Sequence, residues 1–349
     1  MKRLLIRTAV AVAMLAATLL PSMLTPLQAQ GGALPAMKTG QLSVSGLSSG
    51  GYMAVQFDVA YSGSVVGAGI IAGGPYNCSR GSVAVATSVC SCTTGTPWCG
   101  VTPGGTNVPE LVATTRRNAE RGAIDATANL AAHRIWLFSG RLDSVVPTAV
   151  MNDLESYYGN FIPPANVSYR KDVRAEHTIP TDGYGNRCGA LGSPYISNCG
   201  VDAAGDLLQW IYGALAPKTD APPAGQMIEF DQAEFLANPT RHGMARRGWL
   251  YVPPGCEGEA QGCRLHMAFH GCKQTTALVG DAHIRHAGYN AWADANRIVV
   301  LYPQAAPLYP FTNPNSCWDW FSYDDAEYAV KDGRQMRAVK RMTERLMGQ

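Results

Sequence analysis

Gly46-Leu47-Ser48-Ser49-Gly50 is the stretch of sequence that decides the expected fold. Residues 41–45 before it alternate between polar and apolar side chains as a strand does, and residues 52–57 after it can open a helix. Together these segments fit the G-x-S-x-G nucleophile elbow, a sharp strand-to-helix turn that presents a serine hydroxyl at the top of a sheet. Glycines flank such a turn because the neighbouring backbone comes so close that a Cβ atom would clash. We therefore expect Ser48 to be a nucleophile; in a chain with 37 glycines the alternative is a plain turn.

Runs typical of strands and of helices alternate along the rest of the chain. This alternation predicts the α/β class, with a mostly parallel sheet that has helices on both faces. Beyond the elbow, the expected strands are residues 65–74, 134–138, 167–173, 227–230, 248–252, 265–269 and 298–302. The expected helices are residues 108–121, 148–158, 203–215, 289–295 and 332–347. The proline-rich stretch 216–225 could be a linker, but we interpret it as a surface connection within a single domain.

Two further polar residues come directly after predicted strands. Asp143 follows the strand 134–138, and His177 follows the strand 167–173. Because active residues of open α/β sheets lie beyond the carboxyl ends of the strands, we expect both side chains at one edge of the sheet. With Ser48 they follow the order serine, acid, histidine of an α/β-hydrolase triad. In such a triad the histidine removes the serine proton and later protonates the leaving group, while the acid orients the imidazole.

Other residues compete for the acid and base roles. Asp143 could be only a turn residue that caps the following helix, and Asp172 and Asp182 are alternative acids. The competing histidines are His133, His242, His266, His270, His283 and His286. The close pair formed by the last two could suggest a metal site, but no further ligands accompany it, so we expect a helix surface there.

Acyl transfer also needs amide donors for the developing oxyanion. The amide of Ser49 follows the nucleophile, and a second donor is expected from His270-Gly271-Cys272, directly after the strand 265–269. In α/β-hydrolases the strand with the oxyanion loop normally precedes the elbow, whereas here it follows the triad. Joining the last helix to Gln41 would restore the usual order. The sequence therefore predicts a circularly permuted α/β-hydrolase, which is feasible because the termini of a domain are commonly exposed and close together.

The amino-terminal segment predicts export. A basic start precedes an apolar stretch at 9–20, and Leu27-Gln28-Ala29 offers a cleavage site, so we interpret residues 1–29 as a secretory signal peptide rather than a retained membrane anchor. Its removal takes away three positive charges and changes the balance of 28 basic and 26 acidic residues to 25 and 26. Such near neutrality gives no electrostatic reason to expect nucleic acid or an anionic membrane as a partner. We expect a secreted protein, extracellular or periplasmic, without integral membrane association.

All ten cysteines lie after the predicted cleavage site, and an even number in an exported chain predicts disulfides. Short separations along the chain suggest the pairs Cys188–Cys199 and Cys256–Cys263. The one close set that could suggest a metal site, Cys90-Ser91-Cys92 with Cys99, has no second pair or histidine at ligand spacing. No metal is therefore expected.

Three motifs together resemble those of secreted polyhydroxyalkanoate depolymerases, in the group whose catalytic domain is circularly permuted. They are the elbow Val44–Ala54 and the runs His270-Gly271-Cys272-Lys273-Gln274 and Ser316-Cys317-Trp318-Asp319-Trp320-Phe321. The resemblance spans nearly the whole mature chain. It implies hydrolysis of poly(3-hydroxybutyrate), related short-chain polyesters or their oligomers, without a metal or an organic cofactor.

The resemblance also implies roles for individual residues. Ser48 would be the nucleophile, with Asp143 and His177 as its partners. The backbone amides of Ser49 and Cys272 would be the oxyanion donors.

The late motifs would contribute to the substrate site. His270, Trp318 and Trp320 would bind substrate, although the alternative for the tryptophans is core packing. A disulfide between Cys272 and Cys317 would hold the tryptophan segment against the oxyanion loop.

Several functional alternatives stay open at this point. Many extracellular members of the family carry a linker and a separate polymer-binding domain, whereas here residues 30–349 are expected to form a single catalytic domain. The same machinery would serve a feruloyl or acetylxylan esterase or another carboxylesterase. Outside the enzymes, the chain could be a disulfide-rich binding protein on a hydrolase scaffold. In each case we expect a monomer.

Overall fold

Strands and helices alternate along residues 31–94, 99–308 and 312–349, the parts of the chain that the computed structural model describes. The strands are β1 (Leu42–Leu47), β2 (Val65–Ile71), β3 (Arg134–Phe138), β4 (Val167–Arg170), β5 (Ile179–Thr181), β6 (Asn186–Arg187), β7 (Ile196–Asn198), β8 (Gln226–Asp231), β9 (Arg247–Val252), β10 (Arg264–Phe269) and β11 (Ile298–Tyr302). The helices are α1 (Ser49–Ala60), α2 (Val83–Ser88), α3 (Val108–Glu120), α4 (Thr148–Tyr158), α5 (Ala203–Tyr212), α6 (Thr276–Val279), α7 (Ala282–His286), α8 (Tyr289–Asn296) and α9 (Arg334–Met347). The predicted signal peptide lies outside the described residues.

Eight of these strands form one sheet in the order β4-β3-β2-β1-β10-β11-β9-β8. The first six of that order run parallel to one another, while β9 pairs antiparallel with β11 and β8 pairs antiparallel with β9. The prediction of an α/β fold with a mostly parallel sheet is confirmed. The six parallel strands end at the same side of the sheet, which we call the carboxyl edge.

The central strand β1 shows the permuted connectivity directly. It lies between β2, which follows it in sequence, and β10, which comes more than 200 residues later, with Gly46 opposite both Ile70 and Phe269. The chain that enters β1 is bonded to the end of α9, because the amide of Thr39 donates to the carbonyl of Leu346 at 3.0 Å. The last helix therefore ends beside the start of the elbow strand, as the permuted order requires.

Alternation along the strands produces a core on each face of the sheet. In β3, Ile135 and Leu137 belong to one buried cluster, and Trp136 and Phe138 belong to the other. The first cluster includes side chains of α1, α3, α4 and α9, and the second includes side chains of α5, α7 and α8. Because successive side chains of a strand point to opposite faces, both faces of the sheet are covered by helices.

Some elements differ from their predicted bounds. Strand β4 ends at Arg170 rather than at residue 173, because the carbonyls of Arg170 and Val173 accept instead from the loop after β3. Helix α5 ends at Tyr212 because Gly213 adopts a φ of 86°. A second sheet, β5-β7-β6, was not predicted, since strands of two or three residues are too short to show alternation.

The proline-rich stretch 216–225 lies against α8 at both of its ends. The amide of Ala216 donates to Asn296, and the amide of Ala224 donates to Asp294, each at 2.7 Å. These bonds hold the stretch on the surface of the same unit that contains the rest of the described residues.

Candidate active site

The turn at Ser48 has the backbone geometry of an elbow. Ser48 lies between β1 and α1 with φ 57° and ψ −123°, a conformation that is strained for a residue with a side chain. Its amide donates to the carbonyl of Ile71, and its carbonyl accepts from the amide of Tyr52. A Cβ atom on Gly46 would lie 2.3 Å from the carbonyl carbon of Gly50, so the two ends of the turn are in backbone contact. Ser48 itself is half-buried, unlike the buried residues on either side of it.

Asp143 and His177 form a buried pair at the same edge of the sheet. The Nδ1 of His177 lies 2.9 Å from Oδ2 of Asp143 and 3.1 Å from Oδ1. The Oδ1 also accepts from the amides of Val145 and Val146 at 2.9 and 2.7 Å. Asp143 is therefore a turn residue, which was the alternative interpretation of the sequence, and it is also the partner of a histidine. Since the carboxylate can only accept, we assign the imidazole proton to Nδ1, which leaves Nε2 able to accept.

The loops that carry this pair lie alongside each other. The amide of Arg141 donates to the carbonyl of Val173, and the amide of Leu142 donates to that of Ala175. A Cβ atom on Gly140 would lie 2.3 Å from the carbonyl oxygen of Ala175, so only glycine allows the loops to approach so closely. Backbone bonds thus fix the position of the acid relative to the base.

A tyrosine in the first turn of the elbow helix is buried and feels the charge of the acid. Tyr52 is buried, and its hydroxyl donates to the carbonyl of Cys90. Burial raises the pKa of Tyr52 well above its ordinary value, and the nearby charge of Asp143 raises it further.

The competing acids have other partners. Asp172 lies 3.4 Å from Arg170, and Asp182 lies 2.6 Å from Lys218. Neither is paired with a histidine among the described residues.

Four of the competing histidines likewise make contacts away from the serine turn. His133 contacts Asp58, His242 contacts Asp324, His266 contacts two serines of β1, and His286 stacks on Tyr184. The His133 pair cannot serve as a general base, because Nε2 of that ring donates to the carbonyl of Ser62. Within the described parts of the chain, no group of three or more potential ligands could hold a metal ion.

Three successive amides follow β10, and the middle one has no acceptor among the described residues. The amide of Gly271 donates to Oε1 of Gln274 at 2.8 Å, and that of Lys273 donates to the carbonyl of Asn315 at 2.7 Å. The amide of Cys272 lies between them. Ser49 begins α1, where backbone amides have no partner within the helix. Both amides are thus free to donate to an oxyanion.

The elbow and this loop are in direct contact. A Cβ atom on Gly50 would lie 2.4 Å from the carbonyl oxygens of both Phe269 and His270. The first turn of α1 therefore packs on the end of β10, which places the amide of Ser49 and the loop 270–272 on neighbouring strands of the carboxyl edge.

His270 and Trp318 support this loop from inside the protein. His270 is fully buried, with Nδ1 donating to the carbonyl of Gly271 and Nε2 accepting from the amide of Ala305. Burial lowers the pKa of His270 to about 4, so the ring is neutral. The indole of Trp318, also fully buried, donates to the carbonyl of His270 at 3.0 Å. Trp318 is thus packed in the core, as the alternative for the tryptophans held, and a contact of His270 or Trp318 with substrate stays a prediction.

Trp320 is placed differently. It stacks on Tyr52 with ring centroids 3.9 Å apart, and it keeps 7% of its surface exposed. Its indole nitrogen is buried without a hydrogen-bond partner in the described part of the chain. Trp320 therefore adjoins the first turn of the elbow helix and has an unused donor.

Five disulfides join the cysteines in pairs. They are Cys78–Cys90, Cys92–Cys99, Cys188–Cys199, Cys256–Cys263 and Cys272–Cys317. The presence of disulfides is confirmed, and the three cysteines of the possible metal set are among those paired. The last pair connects the oxyanion loop to the segment that carries Trp318 and Trp320.

Two buried polar residues near the site had no role in the sequence analysis. Glu176 precedes His177 and accepts hydrogen bonds from the loop after β3. Gln274 accepts from Gly271 and donates to the carbonyls of Pro194 and Tyr195. The only sequence signal was their nearness to a motif, because most of their partners come from segments 32 to 80 residues away in sequence.

A strained serine turn and an oriented imidazole, brought to one edge of an α/β sheet, are the arrangement of serine hydrolases. By its fold and by this edge of the sheet, the chain falls into the class of α/β-hydrolases. No protein-family model matches the sequence. In the described residues, no helix has the length and apolar character needed to span a bilayer.

Comparison with known proteins narrows this class to one family. The chain is 49% identical over 318 residues to a poly(3-hydroxybutyrate) depolymerase of Delftia acidovorans, covering 90% of this chain and 61% of that protein. It is 40% identical over 324 residues to a polyhydroxybutyrate depolymerase of Talaromyces funiculosus, covering 88% of this chain and 90% of that protein. The chain belongs to the polyhydroxybutyrate (PHB) depolymerase family.

Solved structures agree with this assignment. The PHB depolymerase of Penicillium funiculosum superimposes with a TM-score of 0.81 at 38% identity, covering 90% of this chain and 99% of that one. A serine-to-alanine variant of PHB depolymerase in complex with an R3HB trimer matches with the same values. The resemblance stated from the sequence motifs is thus confirmed.

Proposed function

We propose that this chain is a secreted serine esterase that hydrolyses poly(3-hydroxybutyrate), related short-chain polyhydroxyalkanoates or their oligomers. The proposal rests above all on the strained turn at Ser48, which shares the carboxyl edge with the bonded pair of Asp143 and His177. Family membership and the R3HB trimer bound by a related enzyme support the choice of a polyester as substrate.

The first half of the reaction, acylation of Ser48, uses His177 as a base in the tautomer that Asp143 fixes. Asp143 holds the proton of His177 on Nδ1, so Nε2 takes the proton of the Ser48 hydroxyl as its oxygen attacks the ester carbonyl. The oxyanion that forms accepts from the amides of Ser49 and Cys272. When the tetrahedral intermediate collapses, the ester C–O bond breaks and His177 donates the proton to the departing hydroxyl end of the polymer. The product is a 3-hydroxyacyl ester of Ser48.

Deacylation repeats the same steps with water. His177 removes a proton from a water molecule that attacks the acyl-enzyme, and it then returns the proton to Ser48 as the acid is released. In these steps negative charge forms only on the carbonyl oxygen and positive charge only on the imidazole. Two amides stabilise the first charge, and one carboxylate stabilises the second. No metal or organic cofactor takes part in any of these steps.

Exposed apolar side chains support action on a solid polymer. In the described parts of the chain, the large apolar side chains that are exposed belong to segments that follow carboxyl ends of the parallel strands. They are Val83, Leu142, Tyr184, Leu191 and Leu278, and we call them the apolar rim. Exposed apolar surface favours adsorption to an apolar material, because contact removes both surfaces from water. The catalytic domain would then adsorb to polymer through its own rim.

Trp320 is the aromatic side chain proposed to contact the substrate. Its ring stacks on Tyr52 in the first turn after the nucleophile, and its indole N–H has no partner among the described residues. An ester carbonyl of the bound chain would supply the missing acceptor. Trp320→Phe would keep the stacking and remove the donor, so we expect a higher KM with little change in folding stability.

Active-site labelling and product analysis test the proposal. A fluorophosphonate should modify Ser48 in the wild type and should not modify Ser48→Ala. The wild type should release 3-hydroxybutyrate or its oligomers from PHB, with Ser48→Ala lower by about three orders of magnitude or more. Absence of labelling would favour a binding protein, while preference for feruloyl or p-nitrophenyl esters over PHB would replace the substrate and keep the mechanism.

Export and a monomeric state are part of the proposal. The predicted signal peptide and the five disulfides fit an oxidising compartment outside the cytoplasm. Amino-terminal sequencing of the mature protein should begin after residue 29, and light scattering should give the mass of one chain. A retained leader or a dimer would overturn the corresponding part.

A further inference from the structure

We propose that Glu176 is a positioning residue that holds the Asp143 and His177 loops together and adds a second negative charge at the backbone of the catalytic histidine. This inference rests on the proposed serine-esterase function. Its evidence is the set of contacts made by one buried carboxylate.

Glu176 connects the two loops through its side chain. Its Oε1 and Oε2 each accept from the amide of Ser144 at 3.2 Å, and Oε1 also accepts from the Ser144 hydroxyl. Its Oε2 accepts from the amide of His177. The residue after the acid and the backbone of the base are therefore bonded to the same carboxylate.

The backbone of Glu176 is held as well. Its amide donates to the carbonyl of Cys188, whose disulfide with Cys199 closes the segment after His177. Glu176 is only 8% exposed. With the backbone anchored on one side, the position of the carboxylate determines where the loop of Asp143 can lie.

The charge of Glu176 is not neutralised by a salt bridge. In the described part of the chain, no Lys or Arg nitrogen lies within 4.0 Å of its carboxylate, and the ion-pair partner of Asp143 there is the imidazole of His177. Asp143, from the loop after β3, bonds the imidazole of His177, and its charge also acts on Tyr52 of α1. Both carboxylates therefore favour a positive charge on the imidazole, which develops when it takes the serine proton.

Three variants separate positioning and charge from simple stability. Glu176→Gln removes the charge and places an amide NH2 among donors. Ser144→Ala removes one donor at an exposed position and keeps the charge. Glu120→Gln, at the exposed end of α3, is the matched control for the substitution itself.

Kinetics on a soluble 3-hydroxybutyrate oligomer should distinguish the variants. We expect Glu176→Gln to lower kcat by about 10- to 100-fold with KM changed by less than about twofold, because a misplaced base affects the transition state more than binding. The acidic limb of its kcat/KM profile should move to lower pH, since the imidazole loses a stabilising negative charge. Ser144→Ala should show a smaller loss of kcat with the acidic limb unmoved, and Glu120→Gln should match the wild type.

An NMR experiment decides the inference independently of esterase activity. The His177 Nδ1 proton that is bonded to Asp143 should give a downfield resonance in the wild type and in Glu120→Gln. In Glu176→Gln it should broaden or disappear, because a less fixed pair exchanges its proton with water faster.

If Glu176→Gln folds and keeps this resonance, kcat and the acidic limb of the wild type, the inference is wrong while the proposed function stands. If Glu176→Gln does not fold, an unchanged kcat in Ser144→Ala would also overturn it. A wild type without esterase activity would refute the proposed function, and the resonance alone would then decide the role of Glu176.

Discussion

Gly50 and His270 are in backbone contact, since a Cβ atom on Gly50 would lie 2.4 Å from the His270 carbonyl oxygen. This contact joins the first turn of the elbow helix to the end of β10, although the two residues are 220 positions apart in sequence. Because the contact is between backbone atoms, neither partner can move away by a side-chain rotation. The distance between the nucleophile turn and the oxyanion loop therefore depends on a glycine.

Gly50→Ala should separate these two parts of the site. We expect the free energy of unfolding to fall by about 1–3 kcal/mol, as overpacking of a close contact does. Turnover should fall by about 100-fold or more, because the oxyanion donors are displaced from the nucleophile. Urea unfolding and ester kinetics measure the two effects. Gly183→Ala is the matched control, since a Cβ atom there meets nothing within 4 Å; equal behaviour of both variants would contradict the prediction.

Gln274→Met should weaken stabilisation of the oxyanion. The Gln274 side chain accepts from the Gly271 amide at 2.8 Å and donates to two carbonyls of the segment that follows β6, so it fixes the loop that carries Cys272. Methionine has a similar length without polar atoms. We expect kcat to fall by about 10- to 100-fold, less than the loss of an oxyanion donor itself, with a small change in KM. Stopped-flow measurement of acylation should locate the loss in the chemical step, and Gln209→Met on the exposed side of α5 serves as the control.

A buried histidine should make stability depend on pH. His133 lies 2.8 Å from Asp58 through Nδ1 and donates from Nε2 to the carbonyl of Ser62. Burial alone would lower the pKa of His133, but the charge and hydrogen bond of Asp58 outweigh it and raise that pKa above the ordinary value of 6.5. Since the folded protein holds the proton more tightly than the unfolded chain, this stabilisation is complete below that ordinary value and is lost as pH rises through the raised pKa.

Urea unfolding from about pH 5 to about pH 9 checks this linkage. The free energy of unfolding should decline with rising pH in the wild type, and the decline should be smaller in His133→Asn. His286→Asn, at an exposed ring, is the matched control and should follow the wild type. If His133→Asn and the wild type lose stability in parallel across this range, His133 is not held as a cation.

Removing the apolar rim should slow the hydrolysis of solid polymer and leave the hydrolysis of soluble substrate unchanged. The side chains of Val83, Leu191 and Leu278 are 59%, 51% and 56% exposed, so serine at these positions should leave folding nearly unchanged. Each replacement loses apolar area that would be covered on contact, at about 25 cal/mol per Å². We expect the triple variant to adsorb less to PHB granules and to hydrolyse them more slowly, with kcat on soluble oligomers unchanged. Equal adsorption by sedimentation assay would exclude the rim as the adsorbing surface.

Several elements could be predicted with their bounds because their patterns are local. β3, β11 and α4 have the predicted bounds, since a short continuous apolar run marks each of the two strands and an amphipathic pattern marks the helix. The small sheet of β5, β6 and β7 has strands of two or three residues, too short for any periodicity. The antiparallel direction of β8 and β9 depends on which neighbours they reach, which alternation within a strand does not encode.

The sequence by itself determined the chemistry that the chain can carry: a serine in an elbow, an acid and a histidine after successive strands, paired cysteines and the permuted order. These follow from residue types and their spacing, which are local properties. Only the tertiary structure decided which groups meet. Asp143 pairs with His177 rather than with any of the six other histidines. His270 and Trp318 are fully buried. Glu176 accepts hydrogen bonds from the loops of both Asp143 and His177. Such choices depend on contacts between distant segments, because burial and hydrogen bonding are set by the packing of the whole sheet.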